Sequence, residues 1–317
     1  MHSIMRRAFS LLVLAACSRP QPTPPPPLEA GPAEVIPTVS SSATPSTSAG
    51  PPALDATAPA DMLLVPAGTF TMGIDQGGED DEHPAHAVTL AGFWLDRTPV
   101  TNEAYERCVA AKACRTSDRT VASRHDAGRD EDFLQPRHPV IGVGWDDAHA
   151  FCAWAGKRLP SEAEYERAMR GDDGRTYAWG NEPPTLERAV FGYALGAGST
   201  GDVGTHPKGR GPYGHDDLAG NVWEWCEDEY DPYAYRRETA SRGLPGSCEQ
   251  ILATQDELRA SGQQGFTGSN PIPRECEHVL RGGGFNYGAA GLRATNRVHH
   301  PGRFRIVMAG FRCARSE

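Results

Sequence analysis

The spacing of apolar residues separates stretches of this chain that can fold from stretches that cannot. From Met62 to Gly73, MLLVPAGTFTMG, apolar and small residues alternate around turn glycines, which predicts a first strand or hairpin. HAVTLAGFWLD, His86 to Asp96, predicts a second strand. In PVTNEAYERCVAA the apolar residues recur at helical spacing and place Val100, Tyr105 and Cys108 or Val109 on one face. GWDDAHAFCAWAGKR predicts a second helix, capped near Asp146, with Ala150, Phe151 and Trp154 turned inward. In LPSEAEYERAMR, Ser161 and Glu164 have the S-x-x-E spacing of a capping box. Beyond Arg170, frequent glycines and prolines break the apolar pattern into irregular loops and short strands.

The first sixty residues follow different rules. MHSIMRR is basic, and the apolar run from Ala8 to Ala16 is too short for the roughly 20 residues a spanning helix needs. That order describes a secretory signal. Its ending, Leu14-Ala15-Ala16-Cys17, resembles a bacterial lipobox, which implies cleavage before Cys17 and a diacylglycerol on its sulfur. Ser18 to about Pro59 is rich in Pro, Ser, Ala and Thr and cannot bury enough surface to offset its ordering entropy. The expected plan is a signal peptide at 1–16, a disordered tether at 17–59 and one folded domain at 60–317. The expected location is the bacterial cell envelope, lipid-anchored, at an outer membrane facing the periplasm or the cell surface.

The formal net charge of −10 argues against nucleic acid and anionic lipid as partners and is compatible with cation binding. Of the eight cysteines, seven lie beyond Cys17, and in an exported protein disulfides are the default reading. Cys108 and Cys114 can reach each other across a helix end. Cys248 and Cys276 bracket a polar insertion and can close it.

Seven segments, in this order, resemble one known family: VPAGTFTMG, DRTPVTNEAY, HPVIGVGWDDAHAFCAWAGKRLPSEAEYERAMRG, YAWGN, LAGNVWEWCED, RGGGF and GFRCAR. They look like the formylglycine-generating enzyme, or sulfatase-modifying factor, family from about Met62 to Arg315. The resemblance implies an α+β domain of complex topology, distantly related to C-type lectins and poor in regular structure. It also implies a disulfide between Cys152 and Cys313, which leaves Cys226 as the odd thiol. A second family bridge falls on Met169 and Ala294, where both cysteines are absent.

In oxidising members of that family, two cysteines shortly after a GGS motif bind copper, a task that suits soft thiolates. Here the motif is Gly282-Gly283-Gly284, the first catalytic cysteine falls at about Tyr287, and no cysteine follows between Gly288 and Gly291. Copper is therefore not expected, and the favoured reading is a binding or accessory module whose groove holds a peptide, glycan or protein. The groove candidates are Trp223, Gly284, Tyr287, Arg293 and Arg297. Arg293 either holds an anionic group or forms an internal salt bridge, and the acidic run GEDDEHP resembles the family's charged loop, with a solvated turn as its plainer explanation. His299 and His300 read as surface imidazoles. DLAGNVWEW matches a family calcium motif, and carried over by position the ligands are Asp217, the carbonyls of Gly220 and Val222, and Glu224, so calcium is the expected cofactor. The competing reading is an active oxidoreductase that converts a sulfatase cysteine to formylglycine. An iron-dependent sulfoxide synthase, a third possibility, lacks its histidine-bearing helical domain here.

Overall fold

The computed structural model describes residues 61–121, 130–194, 196–262 and 274–317, all within one compact unit from Leu54 to Glu317. The signal and tether expected at 1–59 lie outside the described residues.

The two apolar stretches at the start of the domain each hold two strands. These are β1 (Met62–Val65) and β2 (Gly68–Met72), then β3 (His86–Leu90) and β4 (Phe93–Asp96). They pair crosswise, β1 with β4 and β2 with β3, both antiparallel, so neither stretch is an internal hairpin. Pro66, which has no N–H for a ladder, separates β1 from β2.

Helix α1 (Asn102–Ala110) starts where Thr101 Oγ1 accepts the Ala104 N–H at 3.2 Å, and it buries Tyr105 and Cys108. A single turn, α2 (Asp130–Phe133), precedes α3 (Trp145–Trp154). The cap of α3 is Gly144 rather than Asp146: the Gly144 N–H donates to Asp147 Oδ2 at 3.0 Å. Its buried stripe is Ala148, Phe151 and Cys152. At about 100° per residue, Ala150 and Trp154 fall off that stripe, and Trp154 is 43% exposed. The capping box of α4 (Glu162–Arg170) forms as expected, with Glu164 N–H to Ser161 Oγ at 3.1 Å and Ser161 N–H to Glu164 Oε2 at 2.8 Å. Every residue of α4 is buried, including three glutamates and two arginines, so its charges must find partners inside the protein.

The second half supplies β5 (Trp223–Glu229), α5 (Cys248–Ala260), β6 (His278–Arg281), β7 (Val298–His300), β8 (Ala309–Gly310) and β9 (Ala314–Ser316). One sheet runs β7-β6-β5-β8, with β8 parallel to β5, and β9 joins β4 in the order β1-β4-β9. The alternation of β5 sends Trp223 and Trp225 into a cluster with Tyr105, Phe151 and Phe311. Cys226 joins Tyr165, Met169 and Leu218 in another. Three disulfides tie the fold, Cys108–Cys114, Cys152–Cys313 and Cys248–Cys276, and Cys226 is free and buried. Among the described residues no helix is long and apolar enough to cross a membrane.

Candidate functional site

Arg281 closes β6 and the chain then turns sharply on two glycines. Gly282 and Gly283 have φ of +96° and +81°. A Cβ on either would also lie 2.6 Å from its nearest neighbour, the Tyr165 hydroxyl for Gly282 and the Gly291 carbonyl for Gly283. Gly284 has ordinary backbone, but a Cβ there would sit 3.1 Å from Cδ1 of Trp223. The Tyr287 N–H donates to the Gly284 carbonyl at 3.0 Å, and the phenol ring stands edge-on to Trp223 with centroids 5.1 Å apart. Trp223, Gly284 and Tyr287 therefore come together. The positions of the family's serine and first cysteine hold no side chain and a phenol.

These residues do not fit copper. Burial raises the pKa of Tyr287, which keeps it a neutral phenol. Cys226 packs away from Trp223 and Tyr287. Burial first, then the carboxylates of Glu162 and Asp228, push its thiol far up, so it is no thiolate donor. The other described cysteines are all in disulfides.

The calcium set is also committed elsewhere. Arg312 grips Glu224 with two bonds of 2.7 Å, and the Tyr165 hydroxyl donates to the same carboxylate at 3.0 Å. The same guanidinium takes the carbonyls of Asp216 and Asp217 at 3.1 and 3.0 Å. Asp217, at φ +53°, accepts the Gly204 N–H at 2.6 Å, while Asp216 pairs with Arg97 and Arg210. Glu224 is thus paired with Arg312 and Asp216 with two guanidinium groups, while the Asp217 carboxylate has the Gly204 N–H as its bonded donor and is pushed up by burial. A calcium ion held by Asp217, the carbonyls of Gly220 and Val222, and Glu224 would have to displace Arg312 from the Glu224 carboxylate. Millimolar calcium or a chelator is expected to shift the melting temperature by less than about 1 °C. A site filled at 100 times its dissociation constant would add about 2.7 kcal/mol and several degrees.

Arg293 and Arg297 are both committed to ion pairs within the protein. Arg293 makes a two-pronged pair with Glu82, at 2.6 and 2.7 Å, and Glu82 also accepts the Thr295 hydroxyl at 2.6 Å. Burial pushes Glu82 up, but these donors outweigh it and hold the carboxyl below its ordinary value. Arg297 is buried and grips Glu162 at 2.7 and 2.9 Å, with its guanidinium over Tyr230 and Tyr235. The acidic run is accordingly no solvated turn: Asp81 and Glu82 are fully buried, and Asp81 accepts the Tyr230 hydroxyl at 2.7 Å. Arg281 completes the network, meeting Glu166 at 2.5 Å and the Ala294 carbonyl at 2.6 Å. Sequence reasoning missed Arg281, Glu162 and Glu166. Their one local sign is a helix dense in charge on every face.

The two histidines also differ from expectation. Both lie on β7, where His299 is buried, bonded to Glu277 at 2.6 Å and stacked on Tyr230, and His300 stacks on Phe304. Their side chains leave opposite faces of the strand, so the pair does not converge on one ion.

Comparison with known proteins agrees with this geometry. Residues 48–317 match the sulfatase-modifying factor enzyme 1-like domain. The formylglycine-generating enzyme of Bos taurus is 32% identical over 244 residues, covering 61% of this chain and 64% of that enzyme, so the chain spans less than two thirds of that relative. The formylglycine-generating enzyme of Streptomyces coelicolor is 34% identical over 223 residues, covering 55% of this chain and 70% of its own length. The inactive C-alpha-formylglycine-generating enzyme 2 of Bos taurus is 34% identical over 213 residues, covering 53% and 71%. Among solved structures, PvdO from Pseudomonas aeruginosa superposes with a TM-score of 0.59 at 25% identity, over 81% of this chain and 94% of PvdO. CarF, at 20% identity and a TM-score of 0.53 over 82% of this chain and 99% of CarF, shares the fold. By sequence and by fold, this chain belongs to the sulfatase-modifying factor family, that of the formylglycine-generating enzymes.

Proposed function

We propose that this chain is an exported lipoprotein, anchored through Cys17 and carried on the Pro/Ser/Thr/Ala-rich segment that follows it, whose sulfatase-modifying factor domain binds a partner and does not oxidise it. The observation that carries this reading is what occupies the first thiolate position: Tyr287, a neutral phenol packed edge-on against Trp223, stands where the family chemistry needs a cysteine, and no cysteine follows between Gly288 and Gly291. Rebuilding a two-thiol copper centre would require opening a disulfide or dragging Cys226 out of the core. A relative described as inactive, with 34% identity, supports the idea that the frame outlives the reaction. The ligand class in keeping with the groove is a peptide, a glycan or a partner protein that meets Tyr287 and the exposed turn at Gly288 to Ala290. Nucleic acid is a poor match for a chain of net charge −10.

The decisive experiment incubates the purified, non-reduced protein with Cu(I), oxygen and a Cys-x-Pro-x-Arg peptide, then assays for aldehyde by mass spectrometry and hydrazide capture. No aldehyde above the copper-only blank is expected, and no copper is retained after desalting. Multiple turnovers would restore the oxidase reading.

A further inference from the structure

Away from the groove, three donor groups lie close enough to share one ion. The sulfurs of Cys248 and Cys276 and a carboxylate oxygen of Glu229 lie within 4.8 Å of one another, and all three residues are half-buried. The sulfurs are joined as a disulfide with Cα atoms 5.8 Å apart. Cys152, Cys313 and Cys108 are fully enclosed and Cys114 is 9% exposed, so Cys248–Cys276 is the bridge a reductant reaches most easily. Cys248 is also the first residue of the 13-residue helix α5, directly after the Ser247 cap. A thiolate there stands at the positive end of the helix, which stabilises it and makes it the better leaving group in exchange.

We propose that Cys248, Cys276 and Glu229 form a redox-controlled site for a zinc-class divalent ion, closed as a disulfide when oxidised and open to metal when reduced. A dithiol is the reductant. One of its thiolates attacks Cys276 Sγ, the protein S–S bond breaks, and Cys248 leaves as a thiolate. The second thiolate of the dithiol then displaces Cys276 from the mixed disulfide. The reductant leaves as its own cyclic disulfide, and two electrons remain on the protein sulfurs. The ion binds both thiolates and the carboxylate, any proton on Cys276 passes to solvent, and water takes the fourth position.

The dimensions allow this. Zinc–sulfur bonds of about 2.3 Å and zinc–oxygen bonds of about 2.1 Å set tetrahedral donors roughly 3.5–3.8 Å apart. The sulfurs must part by roughly 2 Å from bonding distance, a movement within side-chain reach. Glu229 is held beside them by its register with His278 across β5 and β6. Two soft donors and one hard donor select zinc or cadmium over calcium. Either closure pins the first turn of α5, which forms one wall of a cavity of about 740 Å³ through Gln250, Thr254 and Leu258.

The test uses the full chain in detergent, treated with dithiothreitol, freed of reductant without oxygen, and titrated with Cd²⁺ while the ultraviolet thiolate-to-cadmium band is followed. The background is a Cys248→Ser, Cys276→Ser double variant, which keeps the thiol of Cys226 and the lipid-bearing Cys17. One equivalent of cadmium above that background is expected after reduction and none before it. Glu229→Gln, with an unchanged melting curve, should weaken binding about tenfold or more. Mass spectrometry should find Cys248–Cys276 reduced before the other two bridges. A reduced protein that binds no more cadmium than the double variant, a Glu229→Gln affinity equal to the parent's, or reduction of this bridge last would each overturn the proposal.

Discussion

Replacing Cys152 and Cys313 together by alanine lowers the unfolding free energy by about 5 kcal/mol. The bridge joins residues 161 apart in sequence, so its removal returns to the unfolded chain the freedom of a loop that takes in half the protein. In the chain-entropy account the stabilisation grows with the logarithm of loop length, which provides an internal control. The Cys108–Cys114 bridge spans only 6 residues, and the same relation gives about 2 kcal/mol for its loss. The longer bridge has a second role: it fastens α3 to the segment that leads into β9, the strand that completes the β1-β4-β9 sheet. Cys313 lies in register there, its N–H donating to Asp96 Oδ2 at 2.9 Å. Urea unfolding of the two alanine pairs against the parent, followed by tryptophan fluorescence, reads both losses. Equal losses for the long and short loops would exclude loop entropy as the source.

How much of this was legible follows from the distance over which each feature is decided. The capping box of α4 is set within four residues and was read correctly from Ser161 and Glu164. The fold class came from long collinear motifs. The missing thiols, at Tyr287 and in the stretch from Gly288 to Gly291, needed nothing but the identities of the residues there. Features decided by distant partners were not legible. GEDDEHP has the composition of a solvated turn, and only the fold brings Arg293 and Arg297 against it from more than 200 positions away. Glu224 has the spacing of a calcium ligand, but its carboxylate belongs to Arg312, 88 residues on. In each case the sequence displays a charge and conceals its counter-charge. The error over GEDDEHP therefore falls on burial: an exposed acid is assigned where the molecule holds a closed ion pair.

The network around Arg297 carries the second large effect. Replacing Arg297 by methionine should cost about 3–5 kcal/mol at neutral pH, the loss expected when one partner of a buried ion pair is removed and the other stays. Glu162 would keep its charge inside α4 with Arg281 as its remaining cation, at 3.2 Å, and the aromatic rings of Tyr230 and Tyr235 would lose the guanidinium between them. The pH dependence separates this cause from a packing defect. In the parent, burial pushes Glu162 up, but Arg297 and then Arg281 outweigh it and hold the carboxyl below its ordinary value. Its contribution to stability is therefore present above the unfolded pKa and is lost as the pH falls through the lower, folded one. Without Arg297 burial dominates, the folded pKa rises above the unfolded one, and ionised Glu162 opposes folding at neutral pH. Asp81, raised by burial and partly offset by Arg297, moves the same way. The gap in stability between parent and variant should thus be widest near neutrality and narrow as the pH falls through the ordinary glutamate range, about 4.3. Denaturant titrations of both proteins across that range read the gap directly. A gap of constant size would assign the loss to packing and leave the buried charge without a part in it.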